Sequence, residues 1–374
     1  MDKLLDVKGL KTHFHMHGYT VRAVDGVDFS LSEGETLGIV GESGCGKSQT
    51  SMSVMRLIPD PPGKIEAGEI LLRGRDLLKI SEPEMRKVRG NNISMIFQEP
   101  MTSLNPVYSI GYQISEVLML HRDMTKDDAL KESVRLLKLV GMSDPEERVT
   151  EYPFQLSGGL RQRVMIAIAM ACEPDIMIAD EPTTALDVTI QAQILRLMAD
   201  LKARTGTSIM FITHDLAVIA SFADRVMVMY AGVVVEQAPV RDIFKKPLHP
   251  YTQGLLGSIP VLGEVKKRAD GSRQLLNAIP GSLPDHRNFP KGCRFAPRCT
   301  KVMARCWEAE PALVPIEEGH QVRCFLHSDA VQETPAYAEV KRGQQRKWQR
   351  ADRRAQGAGP ASAATGADKT GGRS

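Results

Sequence analysis

The chain lacks any hydrophobic run long enough to cross a membrane as a helix. Its longest apolar stretch, near Val164–Cys172, has nine residues, whereas a spanning helix needs about 18 or more. The N-terminus MDKLLDVKGL also lacks the long apolar core of a secretory signal, because acidic residues interrupt it. These two absences predict a chain that stays in the cytoplasm.

Most of the chain also lacks an excess of positive charge. The net charge is +3, but the segment Lys341–Ser374 alone holds nine basic and two acidic residues, a net +7, which leaves −4 for the rest. A mildly acidic body is a poor candidate for nucleic-acid binding. Residues 331–374 are rich in Gln, Arg, Ala and Gly without apolar periodicity, which predicts a disordered basic tail.

The best-defined motif is GESGCGKS at Gly41–Ser48, which fits the phosphate-binding loop G-x-x-x-x-G-K-[ST]. An apolar run at Thr36–Val40 precedes it and a helical pattern follows it, so the strand–loop–helix context is present. Lys47 can reach the β- and γ-phosphates of a nucleotide, and the Ser48 hydroxyl can ligate Mg²⁺. The residues predicted to bind nucleotide here are Gly41, Ser43, Gly44, Cys45, Gly46, Lys47, Ser48 and Gln49.

Three further apolar runs, predicted to be strands, end in polar residues suited to this chemistry. The run 176–181 delivers Asp180, which can hold Mg²⁺, and Glu181, which can act as general base toward water. The run 93–97 ends at Gln98, whose amide can ligate Mg²⁺ or orient water. The run 208–212 precedes His214, which can contact the γ-phosphate. Because strand ends converge in α/β sheets, these side chains are expected to meet.

Two more features point to nucleotide binding. Ser157-Gly158-Gly159 precedes a helix, and an N-cap serine with exposed backbone N–H groups makes a second anion-binding turn. Tyr19 precedes the phosphate loop, and we predict that its ring stacks on the nucleotide base. The alternative is that Tyr19 is an ordinary exposed aromatic on a hairpin. Residues 106–150 have helical spacing, including 126–140, which predicts a helical insertion.

Together these motifs resemble the nucleotide-binding subunits of ABC transporters. The family order is preserved over residues 1 to about 245: Walker A at Gly41–Ser48, Q-loop Gln98, signature Leu156–Leu160, Walker B ending at Asp180-Glu181, D-loop Ala185–Asp187 and switch His214. Leu160 replaces the usual glutamine, while the Ser157-Gly158-Gly159 core is intact. A P-loop kinase would not carry that core.

This resemblance implies an ATP-hydrolysing α/β protein of the P-loop NTPase class. The implied architecture is a RecA-like core, an N-terminal antiparallel β subdomain, a helical subdomain at about 100–165 and a Cys-rich C-terminal extension. Asp187 joins the nucleotide-binding residues on the same ground. The resemblance also implies that the signature turn of a partner subunit closes each nucleotide site. Binding and hydrolysis would then close and open the pair, with Gln98 as the hinge toward a membrane partner.

A narrower resemblance follows from QEPMTSLNP after strand 93–97 and HPYTQGLLGSIP at 249–260. Both are similar to segments in the ATPase subunits of bacterial dipeptide and oligopeptide importers. The implied division is an ATPase domain at 1–245, an importer-type extension at 246–330 and the tail at 331–374. The implied partners are a second homologous ATPase subunit, two transmembrane permeases and a substrate-binding protein, at the cytoplasmic face of the inner membrane.

Other functions stay open on the sequence. Similar subunits import nickel or glutathione, so the solute is less secure than the class. Another class is a soluble ABC-type ATPase in DNA repair or translation. Such proteins usually carry two cassettes, or a coiled-coil or zinc insertion in one, whereas this chain has one cassette with a short helical insertion.

Four of the six cysteines, Cys293, Cys299, Cys306 and Cys324, fall within 32 residues as C-x5-C-x6-C-x17-C. The segment is rich in Pro and Gly and would gain from a metal staple. Four thiolates suit Zn²⁺ or a [4Fe–4S] cluster. The absence of C-x2-C pairs disfavours structural zinc, and the importer resemblance also points to [4Fe–4S]. Four free cysteines are the remaining alternative.

Overall fold

The computed structural model describes residues 3–98, 103–184, 186–259 and 279–327. The first strands form an antiparallel sheet. Its members are β1 (Lys3–Met16), β2 (Tyr19–Ser32), β4 (Gly63–Leu72) and β5 (Arg75–Asp76), in the order β2-β1-β4-β5. Buried and exposed positions alternate along much of β1 and β2, because one face packs on a core while the other meets solvent.

The second sheet carries the strands that the apolar runs predict. Its parallel part contains β3 (Thr36–Val40), β6 (Ile93–Ile96), β7 (Ile176–Asp180), β8 (Ser208–Ile212) and β9 (Arg225–Tyr230). Every residue of β3, β7 and β8 is buried, as expected for central parallel strands covered on both faces. The pairings β6–β7, β7–β8, β8–β3 and β3–β9 are all parallel, so their carboxyl ends lie at one edge.

Helices cover this sheet. In chain order they are α1 (Lys47–Val54), α2 (Glu82–Val88), α3 (Ile110–Arg122), α4 (Lys126–Leu139), α5 (Pro145–Arg148), α6 (Gly158–Met170), α7 (Val188–Thr205), α8 (Leu216–Phe222), α9 (Val240–Lys245), α10 (Pro250–Gly257) and α11 (Arg305–Glu308). Helices α3 to α6 lie between β6 and β7 in the sequence, where the helical insertion is predicted. Within the described ranges, no helix combines the length and hydropathy that a membrane span requires.

The C-terminal extension continues the main sheet. Strands β10 (Val233–Pro239), β11 (Val314–Glu317) and β12 (His320–Val322) are antiparallel, and the full order is β11-β12-β10-β9-β3-β8-β7-β6. The boundary predicted at residue 246 therefore divides the sequence but not the sheet. The residues before and after it share one set of backbone hydrogen bonds.

A buried carboxylate ties the extension to this sheet. Glu236 of β10 is 0% exposed. It accepts hydrogen bonds from the backbone N–H groups of Leu248 and His249, at 2.7 and 2.9 Å, and lies 2.8 Å from Nε2 of His320. Next to it, Nδ1 of His249 accepts from the N–H of Tyr251 at 3.0 Å and caps α10. Burial lowers the pKa of His249 from its ordinary 6.5 to about 3.

This lowered pKa predicts acid-sensitive stability. Between pH 6.5 and 3 the unfolded chain binds a proton at His249 that the folded chain excludes, so lowering the pH favours unfolding. Above pH 6.5 the burial of neutral His249 does not lower the free energy of unfolding. Below pH 6.5 that free energy falls by up to about 1.4 kcal/mol per pH unit. His249→Asn keeps a capping oxygen without the titration. Urea unfolding should show the wild type losing more stability than this variant between pH 7 and 5. Parallel losses would contradict the assignment.

Candidate nucleotide-binding site

A cavity of about 430 Å³ lies where the phosphate loop leads into α1. The loop and the start of the helix contribute Ser43, Gly44, Gly46, Lys47, Ser48 and Gln49 to its lining. Gln98 and Glu181 line it from the ends of β6 and β7, and Phe14, Val21, Ala23 and His286 complete the wall. The structure therefore brings most of the predicted loop residues and two of the predicted catalytic residues to one cavity.

The loop backbone lies against its neighbours too closely for side chains. Gly41 has φ 154° and Gly46 has φ 108°. A Cβ at Gly41 would lie 2.3 Å from the Met229 carbonyl oxygen, and one at Gly46 would lie 2.4 Å from that of Ala23. Lys47 is 5% exposed, and its Nζ donates to the carbonyl oxygens of Gly41 and Glu42 at 2.8 and 3.2 Å. The ammonium thus lies folded over the loop, where a phosphate would replace carbonyl partners.

The donor set at β7 fits a magnesium ion. Asp180 is 4% exposed, and among the described residues its Oδ1 has no hydrogen-bond partner. Burial raises the pKa of Asp180, and the hydrogen bond from Ser48 offsets this only in part. A hydroxyl and a carboxylate are the oxygen ligands that Mg²⁺ takes beside nucleotide phosphates. Ser48 and Asp180 therefore fit Mg²⁺, and an ion there would satisfy the buried oxygen.

The three predicted catalytic residues meet at Glu181. Its Oε1 lies 3.3 Å from Nδ1 of His214, and its Oε2 accepts from Nε2 of Gln98 at 3.3 Å. Thr184, which the sequence analysis did not assign to the site, donates to the same Oε2 at 2.9 Å. Glu181 has φ 47°, a left-handed backbone that bulky residues rarely adopt and that often marks functional positions. The end of β7 therefore presents a carboxylate held on both oxygens.

The predicted signature turn lies elsewhere. Ser157 caps α6, with its Oγ accepting from the N–H of Leu160 at 3.4 Å. A Cβ on Gly159 would lie 2.8 Å from Cγ2 of Ile190, and Asp187 caps α7 by accepting from the N–H of Ile190 at 2.9 Å. Among the described residues that line the cavity, none belongs to Ser157-Gly158-Gly159 or is Asp187. The roles of these four residues toward nucleotide stay predictions.

Tyr19 is also outside the described lining of the cavity. Tyr19 is 42% exposed, and its ring centroid lies 5.5 Å from the Arg287 guanidinium carbon. Phe14 lies two positions before Met16, the cross-strand neighbour of Tyr19, and it lines the cavity together with His286. The geometry therefore favours Phe14 over Tyr19 for a base. No sequence signal marks His286, because it lies more than two hundred residues from the loop.

The four clustered cysteines lie near one another as free thiols. The N–H of Cys293 donates to the carbonyl oxygen of Cys306 at 2.8 Å. Burial raises the pKa of Cys293 and Cys299 to about 12 and that of Cys324 to about 11, and neighbouring thiols add to each rise. However, in the described ranges no three or more His, Cys, Asp or Glu side chains are arranged to hold a metal ion. The geometry therefore does not confirm the [4Fe–4S] or Zn²⁺ prediction.

Comparisons with known proteins decide the family. The family model described as ABC transporter matches residues 24–184, and the one described as oligopeptide/dipeptide transporter, C-terminal region, matches 235–306. The chain is 56% identical over 329 residues to the oligopeptide transport ATP-binding protein AppD of Bacillus subtilis, which covers 88% of this chain and 98% of AppD. The chain belongs to the ABC transporter ATP-binding proteins.

Other relatives and solved structures agree with this membership. The dipeptide transport ATP-binding protein DppD of Bacillus subtilis is 49% identical over 341 residues, 91% of this chain and 100% of DppD. A dimeric structure of the ATP-binding cassette MJ0796 in a post-hydrolysis state, bound to ADP and Pi, has 28% identity and a TM-score of 0.57. The structural match covers 63% of this chain and 99% of the MJ0796 chain. The fold is thus that of an ABC nucleotide-binding domain.

The geometry around Glu181 predicts how one substitution acts. Glu181→Gln keeps the shape of the side chain but removes the base, so hydrolysis should slow by about 10² or more. ATP binding by the variant should stay near normal, because Lys47 and the loop are unchanged. Single-turnover hydrolysis and ATP titration on the same preparation separate the two effects. Glu132→Gln, on α4, is the matched control, and wild-type hydrolysis by Glu181→Gln would show that another group is the base.

Proposed function

We propose that this protein is the ATP-hydrolysing subunit that powers import of dipeptides or oligopeptides through an ABC transporter in the membrane. The observation that carries the proposal is the meeting of Glu181, Gln98 and His214 beside the phosphate loop. The names of the relatives support a peptide as the solute. The match at residues 235–306 supports the same class, because that model describes the C-terminal region of oligopeptide and dipeptide transporters.

The proposed mechanism assigns a task to each group. Lys47 and the loop N–H groups bind the β- and γ-phosphates of ATP. Ser48 and Asp180, with Gln98, would hold a Mg²⁺ ion, and such an ion would supply positive charge beside the phosphate oxygens. Glu181 accepts a proton from a water molecule while the oxygen of that water bonds to the γ-phosphorus of ATP. The bond between the γ-phosphorus and the bridging oxygen breaks, and ADP leaves with that oxygen. His214 and Gln98 hold the two oxygens of Glu181.

A second cassette is proposed to complete the site. The Ser157-Gly158-Gly159 turn caps α6 outside the described wall of the cavity, so it is free to serve a nucleotide on another subunit. The dimeric cassette bound to ADP and Pi supports such an arrangement by analogy. The proposed partners are a homologous ATPase subunit, two transmembrane permeases and a substrate-binding protein, with this subunit peripheral at the cytoplasmic face of the membrane.

Competing solutes and classes remain distinguishable. Nickel or glutathione importers would use the same ATP chemistry, so only transport assays separate them. A soluble ABC-type ATPase of DNA repair or translation would need no permease. Neighbouring reading frames for two polytopic membrane proteins and a second cassette would favour import.

The proposed assembly predicts the effect of Gly158→Asp. The new carboxylate would lie near the γ-phosphate bound by the partner, and the two like charges would repel. In vesicles holding the whole transporter, wild type should take up labelled peptide with ATP, whereas the variant should show neither uptake nor nucleotide-dependent dimer formation. The isolated variant should still bind ATP near normally. Lost binding in the isolated subunit would refute the assignment to a partner's nucleotide, and wild-type vesicles that import no peptide would refute the solute.

We also propose that Cys293, Cys299, Cys306 and Cys324 hold a [4Fe–4S] cluster, with Zn²⁺ as the alternative. The thiols influence one another's pKa. Cys306 belongs to a small core with Ala296 and Phe325, and Cys293 and Cys299 pack against that core. A core of that size stabilises little by itself, so a metal would contribute much of the stability of this segment. Its role would be structural, because these residues follow the cassette.

The cluster proposal makes a colour prediction. Anaerobically purified protein should be brown, with broad absorbance at about 400 nm from thiolate-bound iron. Cys299→Ser should bleach it and open residues 285–327 to protease, whereas Cys172→Ser, outside the group, should leave both unchanged. Colourless protein with one zinc per chain would show that the four cysteines bind zinc and not an iron–sulfur cluster. Protein with neither metal and a resistant segment would overturn both.

A further inference from the structure

The C-terminal extension contacts the phosphate loop at Glu42, which is not among the described residues that line the cavity. Glu42, the second residue of GESGCGKS, is bonded by both Nη atoms of Arg298, at 2.8 Å to Oε2 and 2.9 Å to Oε1. Arg298 is 6% exposed, and its Nε donates to the carbonyl oxygen of Pro280 at 2.8 Å. A bidentate pair of this kind fixes geometry as well as supplying energy. The extension therefore holds one loop side chain rigidly.

The backbone of Glu42 is held as well. Its N–H donates to the hydroxyl of Tyr251 at 2.9 Å, and its carbonyl oxygen accepts from Nζ of Lys47 at 3.2 Å. Glu42 thus connects Arg298, outside the site, to the lysine that meets the phosphates. A shift of Glu42 would change both the path of the loop and the partners of that lysine.

The surroundings make this contact stiff. The rings of Tyr230, Tyr251 and Phe295 pack together with centroids 4.7 to 5.4 Å apart, and the Arg298 guanidinium carbon lies 5.7 Å from the Tyr230 centroid. Burial by itself would lower the pKa of Arg298, but the bonds to Glu42 and Tyr230 raise it. Arg298 is therefore a permanent cation in a closely packed setting.

We propose that Arg298 is a positioning residue for ATP binding: through Glu42, the C-terminal extension holds the phosphate loop in its binding shape. The proposal rests on the proposed function, because it needs the loop to bind ATP. It extends the ATP site beyond the cassette motifs to residue 298. Arg298 is not among the described residues that line the cavity, so its removal should act on affinity rather than on the chemical step.

The test measures ATP affinity on the full chain. Arg298→Met and Glu42→Gln should each weaken ATP binding about tenfold, as expected for loss of charge-assisted hydrogen bonds. The double variant should be no weaker than either single one, because both remove the same pair. Arg298→Lys should bind ATP with an affinity between those of the wild type and Arg298→Met, because lysine keeps the charge but cannot form the bidentate contact. In the assembled transporter, KM for ATP should rise while kcat stays within about twofold.

Arg323→Met is the matched control. Arg323 also directly precedes a cysteine of the extension, but it donates to the carbonyl oxygens of Val234 and Pro311, at 2.8 and 3.2 Å, and not to the loop. This variant should lower the urea midpoint of unfolding without changing ATP affinity. If it weakens ATP binding as much as Arg298→Met does, the effect is general destabilisation and the proposal is overturned.

The remaining outcomes separate this inference from the proposed function. Wild-type chain that binds no ATP would refute the proposed function itself. Wild type that binds ATP, with Arg298→Met and Glu42→Gln binding equally well, would refute only the positioning role. A fall in kcat at unchanged KM would refute it too. If Arg298→Met does not fold, Glu42→Gln and Arg298→Lys carry the same comparison.

Discussion

The site depends on how closely the phosphate loop approaches the strands beside it. Gly41 and Gly46 leave no space for a Cβ against the carbonyl oxygens of Met229 and Ala23, and the N–H of Gly232 donates to the Cys45 carbonyl oxygen at 2.8 Å. The loop therefore lies against the backbone of β2, of β9 and of the turn that follows β9. Such contact fixes where the following helix begins, and so where Lys47 and Ser48 meet a ligand.

Two buried charged side chains determine which ligands this site can bind. Lys47 and Asp180 are almost inaccessible to solvent, and each lacks a full ionic partner among the described residues: the ammonium has carbonyl oxygens, and one carboxylate oxygen has none. Removing charged groups from water costs free energy that an oppositely charged ligand offsets. A phosphate beside Lys47 and a cation beside Asp180 would satisfy both, which is why ATP with Mg²⁺ suits the site.

The extension and the cassette share one framework. The hydrogen bonds of Glu236 hold the start of α10 and β12 to β10, and the aromatic cluster around Tyr251 continues this contact up to Glu42. Sequence similarity divides the chain into two family regions. The hydrogen bonds and packing join those regions at the phosphate loop, so the extension belongs to the physical environment of the nucleotide.

The local elements and most of the candidate site can be predicted from the linear sequence. Fully buried strands such as Thr36–Val40 and Ser208–Ile212 are continuous apolar runs, and the loop glycines, Lys47, Asp180, Glu181, Gln98 and His214 have fixed spacing from strand ends. Such signals are local, so a linear reading finds them. Other contacts become visible only in three dimensions. Phe14 and His286 line the cavity, while Tyr19 lies outside its described wall. Thr184 donates a hydrogen bond to Glu181, and Arg298 donates two to Glu42. These contacts join residues through sheet order and packing, and no periodicity or motif in the sequence records which distant side chains that packing brings together.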